Sequence, residues 1–349
     1  MKIAVDVSPL QNDNKVRGVG FYLENLKNAL VKYFPENEYI FFETGQKLPN
    51  DLDLVHFPYF EPFFLALPIY RRYKTVVTVH DLTPIVFPSL FPRGVKGELM
   101  WQMQKLSLKK ANAIITDSES SKKDIVKHVG VPAERISVVY LAAGEEFKIL
   151  DNRSSVLGLR SKYNLPDRFL LYVGDVTPNK NLPRLLDAVT KLEIPIVMVG
   201  KSLVSKDYDT NNPWNKDLIR VNELAKGDKN IIRLGFVSNE DLVGIYNLAT
   251  VFTMPSLYEG FGLPILEAMS CRCPVVTSKE GSLEEVAGTG AYFVDAYNVE
   301  SIKRGIEKVF NDENLQRELS RKGLENAKRF SWKKTAENTL SVYRQVLGS

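Results

Sequence analysis

Two glutamates separated by seven residues enclose a glycine-rich stretch that is suited to holding a sugar. Glu259 precedes this stretch, Glu267 follows it, and the run Gly260 to Pro264 lies between them. Because proline fits only the first turn of a helix, Pro264 predicts a helix that begins near Leu263, with Glu259 on a loop and Glu267 on the first or second turn. Carboxylates accept hydrogen bonds from hydroxyl groups, and amides bared by glycine bind hydroxyl or phosphate oxygens. Taken alone, Glu259 could be a solvated loop acid and Glu267 an acid at the favourable end of a helix dipole. Together with the glycines between them, they indicate a site for a sugar or ribose.

A second pair of glycines follows the first strand pattern of the chain. Gly18, Val19 and Gly20 lead directly into the helical pattern of residues 21–30. Glycine lets the backbone approach a ligand closely, and a helix start offers unpaired N–H groups to an anion such as a diphosphate. The dinucleotide-binding fingerprint has a third glycine and lies closer to its strand, so a simple turn explains these residues equally well.

His80 stands at the end of a β-branched run and directly before Asp81. At the carboxyl end of a strand, a neutral imidazole can hydrogen-bond a sugar hydroxyl or a developing charge, with Asp81 orienting it. A histidine in such a position also has structural uses, because the backbone groups there need partners. His56 is a candidate of the same kind with weaker support.

Apolar runs alternate with helical patterns along the chain, which is the pattern of parallel sheets built from strand, helix and strand units. Strands are predicted at Lys2–Val7, Glu38–Phe42, Leu52–Phe57, Thr75–Val79, Ala113–Thr116, Ile136–Tyr140, Phe169–Val173, Ile196–Val199, Ile231–Leu234, Val251–Met254, Pro274–Thr277 and Ala291–Val294. Helices are predicted at Gly20–Phe34, Ser118–His128, Leu182–Leu192, Asn239–Leu248, Leu263–Ser270 and Val299–Phe310. Ligands of such sheets bind outside the carboxyl ends of the strands, so we expect the chemistry in the loops that follow strands.

The length of 349 residues favours two domains, because single cores seldom grow so large. The polar segment of residues 143–167 interrupts the alternation and is predicted to be the linker. We expect one Rossmann-like domain over residues 1–155 and another over 156–330, with parallel sheets facing across a cleft. The helix of residues 331–349 is expected to pack back on the first domain.

The composition is that of an ordinary globular protein, with 44% hydrophobic and 25% charged residues. A net charge of only +4 gives no indication of a nucleic-acid partner. Cys271 and Cys273 are too close for a normal disulfide and lack partners for a zinc site, so we interpret them as buried thiols in a reducing compartment. With no signal-peptide pattern and no apolar stretch of about 18 residues, the protein is expected to be cytoplasmic.

Basic residues gather on two predicted helices of the first half, at Lys105, Lys109, Lys110, Lys122, Lys123 and Lys127. They could touch anionic lipid at the inner face of a membrane, or a phosphorylated acceptor. A solvated helix face is the commoner explanation of such a cluster and is favoured here. Peripheral membrane contact and the oligomeric state stay open.

The stretch from Ile231 to Val276 resembles the signature region of family-4 retaining glycosyltransferases, which have the two-domain GT-B fold. The resemblance rests on the segments Leu234–Ser238, Tyr246–Ser256, Glu259–Glu267, Gly18–Gly20, Val79–Asp81, Thr116–Ser121 and Gly174–Asn181. It extends over nearly the whole chain and is more specific for the family than for the substrate. An α/β protein with two Rossmann-like domains is therefore expected.

The resemblance implies a role for each candidate residue. Glu267 holds the ribose, Glu259 lies near the transferred sugar, Lys180 neutralises the leaving diphosphate, and His80 lies near the reacting sugar. The implied donor-binding residues are Gly18, Val19, Gly20, Lys180, Val237, Glu259, Gly260, Phe261, Gly262, Leu263 and Glu267. A lone lysine before a helix is more often a surface residue, but the spacing from Gly174 to Lys180 matches the family. Neither a metal ion nor a cofactor is implied, since the nucleotide-sugar is a co-substrate.

Two positions depart from the family pattern. Many relatives carry a second basic residue directly after the glycine or before the lysine, where this chain has Asp175 and Asn179. Either Arg17 or the amides of Gly18 to Gly20 compensate for the missing charge, or the donor binds less tightly than usual.

The implied function is transfer of a hexose, with retention of anomeric configuration, from a nucleotide-sugar to a saccharide or lipid-linked acceptor. Likeness to bacterial polysaccharide mannosyltransferases favours GDP-mannose as the donor, with a UDP-hexose as the alternative. No acid stands out as a nucleophile, so same-face attack is favoured over double displacement. Two other functions remain open: a nucleotide-sugar epimerase of the same architecture and a non-catalytic sugar-nucleotide sensor.

Overall fold

The computed structural model describes residues 1–12, 15, 18–150 and 153–348. The strands are β1 (Lys2–Asp6), β2 (Glu38–Phe42), β3 (Leu54–Phe57), β4 (Lys74–Thr78), β5 (Ala113–Thr116), β6 (Ile136–Val138), β7 (Leu170–Val173), β8 (Ile196–Val199), β9 (Ile231–Gly235), β10 (Val251–Met254), β11 (Val275–Thr277) and β12 (Ala291–Phe293). The α-helices are α1 (Gly18–Tyr33), α2 (Thr83–Val86), α3 (Gly94–Lys109), α4 (Glu119–Asp124), α5 (Arg153–Tyr163), α6 (Leu182–Thr190), α7 (Lys216–Leu224), α8 (Asn239–Leu248), α9 (Leu263–Ser270), α10 (Leu283–Ala287), α11 (Val299–Asn311), α12 (Glu313–Ala327) and α13 (Trp332–Leu347).

The chain forms two compact units. The first consists of Met1–Pro88, Pro92–Ala142 and Phe330–Ser349, and the second of Ser89–Phe91 and Ala143–Arg329. The division thus falls between Ala142 and Ala143, thirteen residues before the boundary expected after residue 155. Side-chain hydrogen bonds explain the difference, because Asn247 on α8 binds the backbone of both Lys148 and Leu150 and so holds this polar segment in the second unit.

The first unit contains a parallel sheet of six strands in the order β2-β1-β3-β4-β5-β6. Its central strands are buried β-branched runs such as Val76-Val77 and Ile114-Ile115, as suits a sheet covered on both faces. The direction of winding reverses between β1 and β3, and this topological switch point is where doubly wound sheets bind ligands.

The last helix, α13, packs against α1 in the first unit. Its Tyr343 hydroxyl lies 2.7 Å from Nδ1 of His56, and the other ring nitrogen of His56 lies 2.8 Å from the hydroxyl of Thr78. Because burial disfavours the charged imidazole, the pKa of His56 is lowered to about 3. His56 therefore joins α13 to the sheet as a neutral, fully buried residue.

The second unit contains another parallel sheet of six strands, in the order β12-β11-β10-β7-β8-β9. When the strands of this unit are renumbered 1 to 6 from β7 and the sheet is read from the β9 edge, this is the 3-2-1-4-5-6 order of dinucleotide-binding folds. The switch point lies between β7 and β10. The loops that follow β7 and β10 lie side by side there, and they carry Lys180 and Glu259.

All twelve predicted strands are present among the described residues, each within two residues of the predicted bounds. Two local expectations were wrong. Helix α1 begins at Gly18, so the two glycines form its first turn instead of a preceding loop, and the predicted linker contains α5. Both cysteines are buried free thiols, as predicted. Within the described ranges, every helix is too short or too polar to cross a bilayer.

Candidate functional site

The two loops at the switch point of the second sheet are tied together by hydrogen bonds. The amide of Leu257 donates to the carbonyl of Asn179 over 2.7 Å, and the side-chain amide of Asn179 donates to the carbonyl of Tyr258 over 2.9 Å. The buried amide of Asn181 donates to the carbonyl of Pro255 over 2.9 Å. These bonds satisfy buried polar groups and fix the register of one loop on the other.

Lys180 and Glu259 form an ion pair at the meeting point of these loops. The Lys180 ammonium lies 2.8 and 2.6 Å from the two carboxylate oxygens of Glu259. The lysine side chain is 21% exposed and the glutamate side chain 8%, so the pair is largely shielded from water, the lysine less completely than the glutamate. A cation and an anion are thus held together in a place where a ligand can exchange with either.

Close backbone packing fixes Glu259. Gly281 has a φ of +63°, and a methyl group there would lie 2.5 Å from the carbonyl oxygen of Glu259. The hydroxyl of Ser282 lies 3.0 Å from the same oxygen. Only glycine allows this approach, which holds the Glu259 loop against the start of α10.

Helix α9 begins at Leu263, as Pro264 predicted. Gly262 caps the helix with a φ of +97°, and no side chain caps its first turn. A methyl group on Gly262 would meet Leu283 at 3.0 Å. The beginning of α9, with its positive dipole end, follows Glu259 by four residues, and its cap at position 262 requires glycine.

Glu267 lies on the second turn of α9, where it is 8% exposed. Its carboxylate accepts a hydrogen bond of 2.8 Å from the hydroxyl of Tyr246 on α8. Burial raises the pKa of Glu267 from an ordinary 4.5 to about 7, and the negative charge of Glu146 adds to the effect. A buried carboxyl with a raised pKa and few partners is a common mark of a binding site.

The positions that depart from the family pattern shape the loops. One carboxylate oxygen of Asp175 lies 3.0 Å from the hydroxyl of Ser202, and the carbonyl of Asp175 accepts the hydroxyl of Tyr172 over 2.9 Å. Asn179 binds Tyr258, as described above. Both side chains are engaged in holding the loops in place. Arg17, suggested as a compensating charge, lies outside the described residues.

The remaining predicted donor-binding residues lie in both units. Val237 is buried after β9 in the second unit, directly before the Ser238 that caps α8. Gly18, Val19 and Gly20 form the first turn of α1 in the first unit. Gly260 and Phe261 are buried in the loop between Glu259 and α9.

His80 lies in the first unit, in the segment that follows β4. Its Nδ1 is 2.7 Å from a carboxylate oxygen of Asp117, which directly follows β5. Asp81, the expected orienting residue, instead accepts the amide of Thr83 over 2.8 Å, so the predicted His80–Asp81 pairing was wrong. Asp117 is the partner that sequence reasoning missed. Adjacency of β4 and β5 would have revealed it, because the carboxyl ends of parallel neighbours meet at one edge.

Charged and aromatic neighbours surround His80. Burial opposes the charged imidazole, but attraction to the carboxylate of Asp117 outweighs it and raises the pKa of His80. The ring of Tyr22 meets the imidazole edge-on at 4.6 Å between centroids. Nε2 of His80 is buried and makes no hydrogen bond of good geometry among the described residues, although the backbone carbonyl of Pro58 is close enough to favour the charged ring. A buried ring nitrogen with so weak a contact is suited to a ligand hydroxyl.

Both halves of the chain match families of glycosyltransferases. Residues 40–143 match the family described as Glycosyltransferase Family 4, and residues 159–326 match Glycosyl transferases group 1. The O-antigen chain mannosyltransferase B of Escherichia coli is 32% identical over 283 residues, which cover 79% of this chain and 71% of that protein. The serotype-specific mannosyltransferase WbdA of Escherichia coli is 31% identical over 79% of this chain, but this chain spans only about a third, 34%, of its length.

Among solved structures, sucrose-phosphate synthase from Thermosynechococcus elongatus superposes with a TM-score of 0.80 at 20% identity. The match covers 100% of this chain and 99% of that one. At this identity the likeness concerns the fold, and it confirms the expected GT-B class with its two Rossmann-like domains.

Proposed function

The chain belongs to the group 1 and family 4 glycosyltransferases, and on that premise we propose that it transfers a hexose from a nucleotide-sugar bound by the second unit, with retention of anomeric configuration. The observation that carries the proposal is the Lys180–Glu259 ion pair at the switch point, with the buried Glu267 eight residues after Glu259, on the second turn of α9. In the proposed site the cation faces the diphosphate, Glu259 the sugar and Glu267 the ribose of the nucleotide-sugar.

The ion pair explains how one site can hold both the phosphate and the sugar. The ammonium and the carboxylate of the pair neutralise each other. An incoming diphosphate takes the ammonium of Lys180, and the sugar hydroxyls then satisfy the carboxylate of Glu259. Glu267 accepts hydrogen bonds from the ribose hydroxyls, a charge-assisted contact that favours the ionised carboxyl.

The reaction follows from these contacts. The acceptor oxygen bonds to the anomeric carbon as the bond from that carbon to the diphosphate breaks, and the acceptor proton passes to the departing phosphate oxygen. Lys180 stabilises the charge that develops on the leaving group, so the proposed chemistry needs no metal ion. Since Glu259 is engaged by the sugar hydroxyls in the complex, we propose same-face attack, which retains configuration.

His80 and the first turn of α1 keep their proposed roles. The buried Nε2 of His80 suits a hydrogen bond to a substrate hydroxyl, and Asp117 holds the ring for it. For Gly18 to Gly20 the support is the beginning of a helix whose first residue is glycine.

GDP-mannose is the proposed donor. It is supported by the two Escherichia coli mannosyltransferases to which the chain is similar. A UDP-hexose is the alternative, and the acceptor is proposed to be a saccharide or a lipid-linked saccharide.

The test is a transfer assay with the purified full chain, GDP-mannose or UDP-glucose, and a mannose oligosaccharide. We expect nucleotide release that depends on the acceptor, an α-linked product by NMR, and full activity in excess EDTA. Lys180→Ala and Glu267→Ala should lose transfer while remaining folded, whereas Lys191→Ala, which removes an exposed ion pair with Glu300, should not. Nucleotide-sugar conversion without acceptor would instead indicate an epimerase, and donor binding without turnover would indicate a sensor.

A further inference from the structure

Four buried side chains of the first unit form one continuous hydrogen-bond network. The hydroxyl of Tyr22 on α1 lies 3.1 Å from the hydroxyl of Thr78, which in turn lies 2.8 Å from Nε2 of His56 on β3. Nδ1 of His56 lies 2.7 Å from the hydroxyl of Tyr343 on α13. Each of the four residues is at most 1% exposed. We call these four residues the buried network.

The hydrogen atoms of the buried network can be arranged in only two ways if every bond is made. Thr78 has one hydroxyl hydrogen, so it donates to one neighbour and accepts from the other. Burial lowers the pKa of His56 to about 3, and a neutral imidazole donates through one nitrogen and accepts through the other. All donors therefore point toward Tyr22 or all point toward Tyr343. Loss of one member changes the bonds available to the others.

The first member of the buried network also contacts His80. The ring of Tyr22 meets the imidazole of His80 edge-on, with 4.6 Å between ring centroids and 82° between ring planes. Aromatic rings at this separation and angle attract each other in a defined geometry. The ring of Tyr22 also lies 6.2 Å from the indole of Trp332, the first residue of α13. Tyr22 is thus held by its hydroxyl and by its ring, and His80 packs against it.

Tyr22 supplies a contact to His80 that the charged neighbours do not. The carboxylate of Asp117 lies 2.7 Å from Nδ1 of His80, and the charge of Asp81 and the carbonyl of Pro58 also favour the protonated ring. A single hydrogen bond at Nδ1 leaves the imidazole able to tilt about that bond. A packed ring beside it limits the tilt and so fixes the direction of Nε2.

We propose that Tyr22 is a positioning residue for His80 and that the buried network holds Tyr22 in place from α13. The expected effect on turnover rests on the proposed role of His80 in transfer, whereas the effect on the imidazole itself does not. The proposal gives α13 a part in the site of the first unit, through the hydroxyl of Tyr343 and the indole of Trp332. Both ring nitrogens of His56 are used in the buried network, so His56 is a link in this support.

The first test is an NMR titration of the histidine rings in the full chain, which needs neither donor nor acceptor. The three histidines are His56, His80 and His128, and the variant His128→Gln identifies the signals of the third. Tyr22→Leu removes the aromatic ring, so the bond from His80 to Asp117 should loosen and the raised pKa of His80 should fall toward its ordinary 6.5. Tyr22→Phe keeps the ring and should give a smaller shift in the same direction. A pKa of His80 that is the same in Tyr22→Leu as in the parent protein overturns the proposal.

The second test is the kcat and KM of the same variants in the transfer assay. Tyr22→Leu should lower kcat at least about tenfold with little change in KM, and Tyr22→Phe should lower it roughly threefold, because a misplaced group at the reacting sugar slows turnover. Leu26→Ala is the matched control, since Leu26 is a fully buried residue one turn further along α1. It should lower Tm through the lost packing but leave kcat and the pKa of His80 near the parent values. Equal losses of kcat in Leu26→Ala and Tyr22→Leu would reduce the effect to general destabilisation and overturn the proposal.

The third test measures coupling between the two ends of the buried network. Tyr343→Phe and Tyr22→Phe each remove a terminal hydroxyl of the same network, so the double variant should lose about as much kcat as either single variant. Tyr73→Phe is the control for Tyr343→Phe, because the hydroxyl of Tyr73 donates to the carbonyl of Pro49 in another part of the first unit; its effect on kcat should be negligible. Additive losses, or an unchanged kcat in Tyr343→Phe, would overturn the link to α13. If the His80 titrations come out as expected but the parent protein transfers no sugar, the positioning stands and the proposed function fails.

Discussion

Replacing Glu267 by glutamine should stabilise the protein at alkaline pH while it weakens nucleotide binding. Burial raises the pKa of Glu267 from 4.5 to about 7, so the folded protein holds a proton there that the unfolded chain releases. A group whose pKa is raised on folding contributes stability below its unfolded pKa, and that contribution is lost as pH rises through the folded pKa. Between about pH 4.5 and 7 the parent protein therefore loses stability, and above pH 7 it carries a buried charge.

The magnitude follows from the two pKa values. At 1.36 kcal/mol for each pH unit, the span from 4.5 to about 7 corresponds to about 3 kcal/mol. Glutamine resembles the protonated carboxyl and can still accept the hydroxyl of Tyr246, but its NH₂ group needs a partner of its own. We therefore expect the variant to gain at most about 3 kcal/mol at pH 8 and less than about 1 kcal/mol at pH 5.

Urea unfolding of the parent protein and of Glu267→Gln at pH 5 and pH 8 measures this difference. Glu284→Gln is the control, because Glu284 is an exposed glutamate paired with Lys279. Titration calorimetry with GDP at pH 8 should show at least tenfold weaker binding by the Glu267 variant, since a contact to a charged acceptor is lost. A variant that is destabilised equally at both pH values, or that binds GDP as the parent does, would refute the reasoning.

Three further substitutions test other parts of the site. Lys180→Ala should lower kcat about 10²- to 10³-fold through lost stabilisation of the leaving group, and a smaller loss confined to KM would contradict the proposed role. Asp117→Asn should lower the pKa of His80 in an NMR titration and move the acid limb of the pH–activity profile to lower pH; an unchanged pKa would show that another group sets it. Gly281→Ala should impair transfer and lower Tm well beyond Gly227→Ala, because both glycines have positive φ but only Gly281 faces backbone at 2.5 Å. Equal effects of the two alanines would mean that strain, and not the contact, dominates.

Local chemistry made much of the second unit predictable. The buried apolar runs are short and bounded by polar residues, so their strands follow from composition alone. Pro264 fixes the beginning of α9 because its ring excludes any position beyond the first turn. With the helix start placed, Glu259 and Glu267 had to fall on the loop and on the second turn, where they are found.

Contacts between strands distant in sequence could not be predicted in the same way. Asp81 was expected to orient His80 because the two are neighbours in the chain, yet Asp117 does so, across 37 residues. The pairing depends on β4 and β5 being adjacent in the sheet, and no local pattern states strand order. The same holds for His56, whose partner Tyr343 lies 287 residues away.

Asp175 and Asn179 show a second limit of prediction from sequence. Judged by charge alone, Asp175 and Asn179 indicate a diphosphate site with one cation missing. In the structure the side chain of Asn179 binds the loop after β10, and Asp175 binds Ser202, so both positions hold the site in shape. A sequence pattern records which charges are present, but not which hydrogen bonds a loop needs in order to keep its conformation.

The pairing of Lys180 with Glu259 bears on the missing cation. A buried ion pair seldom adds much stability, because desolvation offsets the attraction between the charges, but removing one partner alone is costly. In the proposed complex a diphosphate that took Lys180 without a sugar would leave Glu259 charged, shielded and unpaired. The sugar hydroxyls remove that penalty, so the intact nucleotide-sugar satisfies both charges and the bare nucleoside diphosphate satisfies only one. A single lysine can therefore favour the donor over the leaving product, whereas a second cation would strengthen the hold on both.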